Sequence, residues 1–266
     1  MFKLFIKFCV KDLQIKSVMF SVILCLFYST SIFAASANTI IQTAENDVAN
    51  IASLQRGARN FVNYCMACHS IKYVRFNKLQ EALELTEDQV KNNLMFAADK
   101  IDENITNAMS INDAEKWFGQ APPDLSLISR SRGTDWVYTF LKSFYRDDRS
   151  SSGVNNLMLP NTSMPHVLWE LQGLQNAKFA STIRDEKIIN NFANPDEFQK
   201  FEFEYSGTLT PSEYDQFVVD IVNFLDWAGT PERLERQSLG IWVILFLFVF
   251  LMFAYLLKIE IWKDLD

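Results

Sequence analysis

Apolar residues are distributed along this chain in patterns that announce different elements. Leu239 to Leu257 is an unbroken apolar run of nineteen residues without a charge or a proline, close to the roughly 20 residues that cross a bilayer as a helix. Trp242, Tyr255 and Trp262 lie near its ends, where interfacial aromatics belong. Before it, Phe217, Val218, Ile221, Val222 and Leu225 recur at helical spacing. Thr210-Pro211-Ser212-Glu213 opens this helix with a capping box and a proline at the first turn, and Gly229 and Pro231 stop it. Thr86-Glu87-Asp88-Gln89 starts another helix that runs through Val90, Leu94 and Phe96. Arg56 to Tyr64 reads as an amphipathic helix, and Trp136 to Tyr145 as a further one. Gly119 to Leu125, Ser150 to Pro165 and Asn190 to Gly207 are rich in Gly, Pro, Asn and Ser and read as loops.

The N-terminus carries a second kind of apolar run. Lys3, Lys7, Lys11 and Lys16 precede an apolar core from Val18 to Tyr28, and Ala35-Ser36-Ala37 supplies small residues for cleavage. This is the build of an export signal, with cleavage expected after Ala37. An uncleaved anchor over the uncharged stretch from Ser17 to Ala44 is the competing reading. The expected organisation is therefore a signal peptide over 1–37, an exported domain over 38–238, a transmembrane anchor over 239–257 and a short cytoplasmic tail over 258–266. Charges flanking the anchor do not decide its orientation, since Arg233 and Arg236 precede it and Lys258 and Lys263 follow it. The export signal decides it, placing the domain outside.

Cysteine usage brings in chemistry. Cys9 and Cys25 fall in the leader, which leaves Cys65 and Cys68 in the run Cys65-Met66-Ala67-Cys68-His69. Cys-x-x-Cys-His is the attachment signature of c-type haem: two thiols add to the vinyl groups and the imidazole becomes an axial ligand. A thioredoxin-like pair would need a preceding strand, whereas a helix leads into Cys65. Structural zinc needs about four ligands, and outside the leader His166 is the further candidate of the soft type. One motif implies one haem c per chain, covalently attached, in a single domain of about 200 residues. A helix running into the motif, a loop-rich middle and a final amphipathic helix match the class I cytochrome c plan. The expected fold is mainly α: a class I cytochrome c-like haem domain with long loop-rich insertions, plus one C-terminal transmembrane helix.

His69 serves one face of the iron. For the other face, Met95, Met109, Met158, Met164 and His166 are available. Met95 and Met109 sit in helix-like sequence and read as core, whereas Met164-Pro165 lies in a turn-rich stretch that can present a thioether. Met164 leads, with His166 and Met158 as rivals. His/Met ligation stabilises ferrous iron and leaves no open coordination position, which means electron transfer rather than bond-making catalysis.

Several segments resemble the cytochrome c1 family: Gln55-Arg56-Gly57 through Ser70, Trp117 through Ser126, Ser129-Arg130-Ser131-Arg132, Phe144 through Asp148, Asn161 through Gly173, and Gly229 through Arg233. The likeness runs from about Asp47 to Asp266 in family order. It implies the haem subunit of the ubiquinol-cytochrome c oxidoreductase of a bacterial inner membrane, with the haem domain on the periplasmic side. Cytochrome b and a Rieske iron-sulfur protein would be its partners in the complex, and a soluble or tethered cytochrome c its acceptor. The resemblance further implies that Cys65 and Cys68 hold the haem, that His69 and Met164 ligate its iron, that Arg132 lies near a propionate, and that Pro122 and Pro123 pack beside the ring. Arg130 competes with Arg132 for the propionate. In two respects the chain departs from relatives: Trp136 stands where many have a tyrosine, and no cysteines remain for the extra disulfide found in some. A membrane-anchored cytochrome c donating to a terminal oxidase and a haem peroxidase are the alternative functions.

The charge narrows the choice of partner. Formal net charge is −7, and residues 1–37 hold four Lys and one Asp, so losing them takes it to −10. Nucleic acid is disfavoured and a basic protein favoured. Asp99, Asp102 and Glu103, and Asp196, Glu197, Glu202 and Glu204, are the acidic clusters available for docking, with an ordinary solvated face as the alternative.

Overall fold

The computed structural model describes residues 41–179 and 198–263. The stretch read as a signal peptide, its expected cleavage site, the last three residues of the expected tail, Asp196 and Glu197 lie outside the described residues.

Two helices carry the domain. Helix α1 (Ile51–Tyr64) begins at Asn50, whose side chain accepts the Ser53 N–H, and delivers the chain into Cys65. After it come β1 (Ile71–Arg75), α2 (Phe76–Ala82), α3 (Glu87–Leu94), β2 (Asn104–Ile105), α4 (Ile111–Phe118), α5 (Ile128–Ser131) and α6 (Thr134–Lys142). Then follow β3 (Phe144–Arg146), β4 (Val154–Asn156), α7 (Trp169–Gln172), β5 (Gly173–Phe179), β6 (Phe198–Ser206), α8 (Pro211–Gly229) and α9 (Arg233–Trp262). The strands form three antiparallel pairs, β1–β2, β3–β4 and β5–β6.

Both capping boxes read from the sequence are present, Thr86 with Gln89 at α3 and Thr210 with Glu213 at α8, the latter with Pro211 in the first turn. Helix α8 ends where Gly229 and Pro231 end it, because a chain that meets Pro cannot continue its hydrogen-bond ladder. Helix α6 stops three residues short of Tyr145. The Asn156 side-chain amide donates to the Phe140 carbonyl at 2.8 Å and takes over one of the orphan acceptors of the last turn, so Phe144–Arg146 is free to pair with β4. Strand β6 occupies part of the stretch read as loop from Asn190 to Gly207. Its alternation Phe201-Glu202-Phe203-Glu204-Tyr205 is a strand period that the neighbouring turn residues masked.

The crossing of α1 and α8 is unusually close. A Cβ at Gly57 would stand 2.0 Å from the Asp220 carbonyl oxygen and 2.8 Å from the Phe224 Cβ, so the contact exists because residue 57 has no side chain. Phe61 and Phe224 pack across it with ring centroids 5.6 Å apart, and both are buried. Beside the crossing, the buried Asp220 carboxylate accepts from Ser53 Oγ at 2.7 Å, from Arg56 Nε and Nη2 at 2.6 and 2.8 Å, and from Gln216 Nε2 at 3.0 Å. Replacing Asp220 by alanine leaves four donor groups, on three residues of two helices, without their acceptor. An expected loss of about 2 to 3 kcal/mol follows from hydrogen bonds to a charged group, to be checked by chemical denaturation.

Helix α9 spans 30 residues, about 45 Å at 1.5 Å per residue. Its side chains are exposed along the whole length, and it is long and apolar enough to cross a membrane.

Candidate functional site: an apolar cleft around the Cys-x-x-Cys-His turn

Cys65 caps α1, its N–H bonded to the Phe61 carbonyl at 2.8 Å, and the next residues coil into a tight turn. Cys68 and His69 both donate backbone N–H groups to the Cys65 carbonyl, at 3.1 and 2.9 Å. The turn is tied down by Asn107, whose side-chain amide donates to the Cys68 carbonyl. Neither cysteine is in a disulfide. Burial, with a further contribution from Cys68, pushes the Cys65 thiol up to about 12, and burial raises Cys68 as well, so both remain protonated thiols near neutral pH.

His69 is oriented from a distant part of the chain. Its Nδ1 lies 2.7 Å from the Pro123 carbonyl oxygen. A carbonyl oxygen only accepts, so Nδ1 must carry the proton and Nε2 is left with a free lone pair. Burial lowers the His69 pKa, against the smaller opposing effects of Pro123 and Asp124, which favours the neutral ring that a metal needs. The Pro123 carbonyl is itself placed by a stitched loop. Asp124 accepts the Lys72 and Ser126 N–H groups at 2.9 and 3.0 Å, Ser126 Oγ accepts the Tyr73 N–H at 3.2 Å, and the Ser70 carbonyl accepts the Leu125 N–H at 2.8 Å. Asp124, Ser126 and Asn107 were not singled out from the sequence; the turn-forming Asp and Ser after Pro122-Pro123 are the signal that was available.

All seven residues expected at the site, Cys65, Cys68, His69, Pro122, Pro123, Arg132 and Met164, line one cleft of about 250 Å³. Its walls are apolar, built from Val137, Phe140 and Leu141 of α6 and Ile221 and Leu225 of α8, with Leu159 and Phe118 among the remaining lining residues. The rivals of Met164 are elsewhere. His166 is buried, stacked on Phe144 at 5.0 Å and 3°, and burial presses its pKa down to about 4. Neither it nor Met158 is part of the lining. Met95 and Met109, read as helical, sit at the C-cap of α3 and in the segment before α4, and they too are absent from the lining. Between the two arginines geometry also chooses. Arg130 Nη1 donates to Thr230 Oγ1 at 2.7 Å, while Arg132 lies 5.1 Å over the Trp136 ring, on the cleft, with no acidic partner among the described residues.

The donor set fits a haem c. Two protonated thiols, an imidazole with a bare Nε2, a thioether and an uncompensated guanidinium converge on an apolar cleft, and those are the groups that hold vinyl carbons, iron and a propionate.

This arrangement is that of a c-type cytochrome. The Cytochrome C1 family model matches residues 46–265. The chain is 44% identical to the cytochrome c1 of Allochromatium vinosum, over 88% of this chain and 93% of that one. It is 39% identical to a protein named ammonia monooxygenase gamma subunit from Nitrosomonas europaea, over 95% and 99% of the two chains, and 28% identical to the cytochrome c1 of Rhodospirillum rubrum, over 79% and 81%. The chain belongs to the cytochrome c1 family. Its members carry covalently bound haem c and serve electron transfer in the respiratory bc1 complex, and the C-terminal apolar helix fits a membrane anchor.

One docking cluster is reduced by the fold. Glu202 pairs with Lys200 and Lys178 on its own hairpin, and Glu204 with Arg146 of β3, so the described half of the second acidic group is neutralised within the domain. Asp99, Asp102 and Glu103 have no salt bridge among the described residues, and their segment abuts the haem turn through Asn107.

Proposed function

We propose that this chain takes single electrons from a Rieske iron-sulfur protein and passes them to a soluble or tethered cytochrome c, within a complex that also holds cytochrome b. The haem domain stands on the periplasmic side of a bacterial inner membrane, and α9 is its single span. The observation that carries the reading is one apolar cleft lined together by His69, Met164, Cys65 and Cys68.

Bound haem c supplies reversible one-electron exchange at an iron whose potential a thioether ligand raises. The protein's own residues do the rest. Cys65 and Cys68 would hold the cofactor in place through thioether links, each thiol supplying the sulfur and the hydrogen that add to a vinyl group. The hydrogen bond from Nδ1 to Pro123 fixes the ring plane of His69 and raises its basicity toward the metal. Met164 would hold the iron as its second ligand, and a thioether there would exclude oxygen and peroxide, which is what separates this reading from a peroxidase. Arg132 balances a propionate charge, and the apolar walls from α6 and α8 keep water from the ring.

Purification from detergent-solubilised membranes tests this directly. The chain is expected to co-purify with a cytochrome b and a Rieske protein, its pigment remaining with the polypeptide in acidified organic solvent. Recovery as a lone haem protein would point instead to a tethered cytochrome serving an oxidase, and extraction of the pigment would remove the covalent haem altogether.

A further inference from the structure

We infer that Asn155 and Asn156 are positioning residues that hold the loop bearing Met164, a deduction that rests on reading Met164 as the distal ligand. Both side chains are buried, at 1% and 0% exposure, on β4, and in both the Oδ1 and the Nδ2 are hydrogen-bonded. Asn156 Oδ1 accepts the N–H groups of Met158 and Leu159 at 2.8 and 3.3 Å and Ser143 Oγ at 3.1 Å, while its Nδ2 donates to the Phe140 carbonyl. Asn155 Oδ1 accepts the N–H groups of Asn156 and Asn161 at 2.9 and 2.8 Å. Asn155 Nδ2 donates to Asp147 Oδ2 at 3.1 Å, and Arg149 grips that carboxylate with Nε at 2.8 Å and Nη2 at 3.0 Å.

From Asn161 the support continues to the ligand. Asn161 sits at φ +64°, a left-handed conformation that asparagine tolerates better than most side chains, and it reverses the chain there. Thr162 donates its N–H to the Leu159 carbonyl at 3.2 Å, and Thr162 Oγ1 accepts the Met164 N–H at 3.3 Å. The stretch between β4 and α7 has no ladder or helix to satisfy its backbone, so two side-chain amides stand in for one. Beside the Leu157 N–H donated to the Ser143 carbonyl at 3.2 Å, these are the hydrogen bonds that tie the loop to the β3–β4 hairpin. A neutral thioether binds iron weakly, so whether it stays bound depends on how well the backbone holds it in place beforehand. Remove the amide of Asn155 and the Asn161 N–H is orphaned, the reversal loosens, and the thioether leaves the iron for part of the time.

The test uses the full haem-loaded chain in its native membranes. Asn155→Leu keeps the branching of the side chain in a bulkier form and deletes every side-chain bond; Asn155→Ser is a smaller, milder variant whose hydroxyl is too short to reach Asn161, for use if the first does not accumulate. Ser53→Ala, which weakens the distant α1–α8 network, controls for general destabilisation. Expected for either Asn155 variant are a diminished methionine-to-iron charge-transfer band in the oxidised haem, a lower midpoint potential and a gain of carbon monoxide binding by the reduced haem, with all three unchanged in Ser53→Ala. An intact band and potential in the Asn155 variants overturns the inference, as does the same loss in Ser53→Ala. Met164→Leu, run in parallel, separates the two levels. A band that survives Met164→Leu removes the ligand reading itself, whereas a band lost there but kept in the Asn155 variants removes only the positioning role.

Discussion

Replacing Met164 by leucine is expected to abolish the methionine-to-iron charge-transfer band and to lower the midpoint potential on the order of 0.2 V, a quarter of the roughly 0.8 V over which axial ligands set haem potentials. Leucine matches methionine closely in volume, so the half-buried position should repack at a cost under about 1.5 kcal/mol. What disappears is the sulfur. The ferric state gains relative to the ferrous one, and a coordination position opens, so the reduced haem should bind carbon monoxide. Redox titration and optical spectroscopy of the intact membrane protein read both effects. A surviving band would make another methionine, Met158 first, the ligand, and a band already missing from the unaltered protein would bring His166 forward. Each would then have to leave its present surroundings, His166 from its stack on Phe144 and Met158 from outside the cleft lining.

A valine at Gly57 should be the most damaging single change in the core. Its Cβ would lie 2.0 Å from a backbone oxygen of α8, an atom that cannot rotate away as the end of a side chain can. The helices must separate, and overpacking of this kind costs about 3 kcal/mol or more. For a domain of this size that corresponds to a fall of roughly 6 to 12 °C in the thermal midpoint. The damage also reaches the site, because α1 ends at Cys65 and Ile221 and Leu225 of α8 form part of the cleft wall. Thermal denaturation followed by haem absorbance checks the prediction. Gly240→Val is the comparison: nothing lies within 4 Å of a Cβ there, and the midpoint should not move.

How much of this was legible beforehand depended on the reach of each interaction. The capping boxes at Thr86 and Thr210 and the stop at Gly229 and Pro231 involve residues within one or two turns of each other, and all are found where the sequence put them. The end of α6 was misjudged because its terminator, Asn156, comes from another strand. The β5–β6 hairpin was missed because a strand is specified by its partner as much as by its own alternation. At the site, the residues expected from the sequence line one cleft, but those that support them, Asn107, Asp124, Asn155 and Asn156, are ordinary polar residues of loops and a short strand. Their importance appears only when the bonds they make are known.

By itself, then, the amino-acid order determined the Cys-x-x-Cys-His turn at the end of a helix, the helix starts at Thr86 and Thr210, and a C-terminal apolar run long enough to span a bilayer, because each rests on residues adjacent along the chain. Only tertiary structure decided which methionine and which arginine face the cleft, and that the Pro123 carbonyl, 54 residues from His69, meets its Nδ1. Those choices were made by packing α1 against α8 at Gly57 and hanging a long loop from a buried hairpin, and contacts so far apart in sequence leave no periodic trace in it.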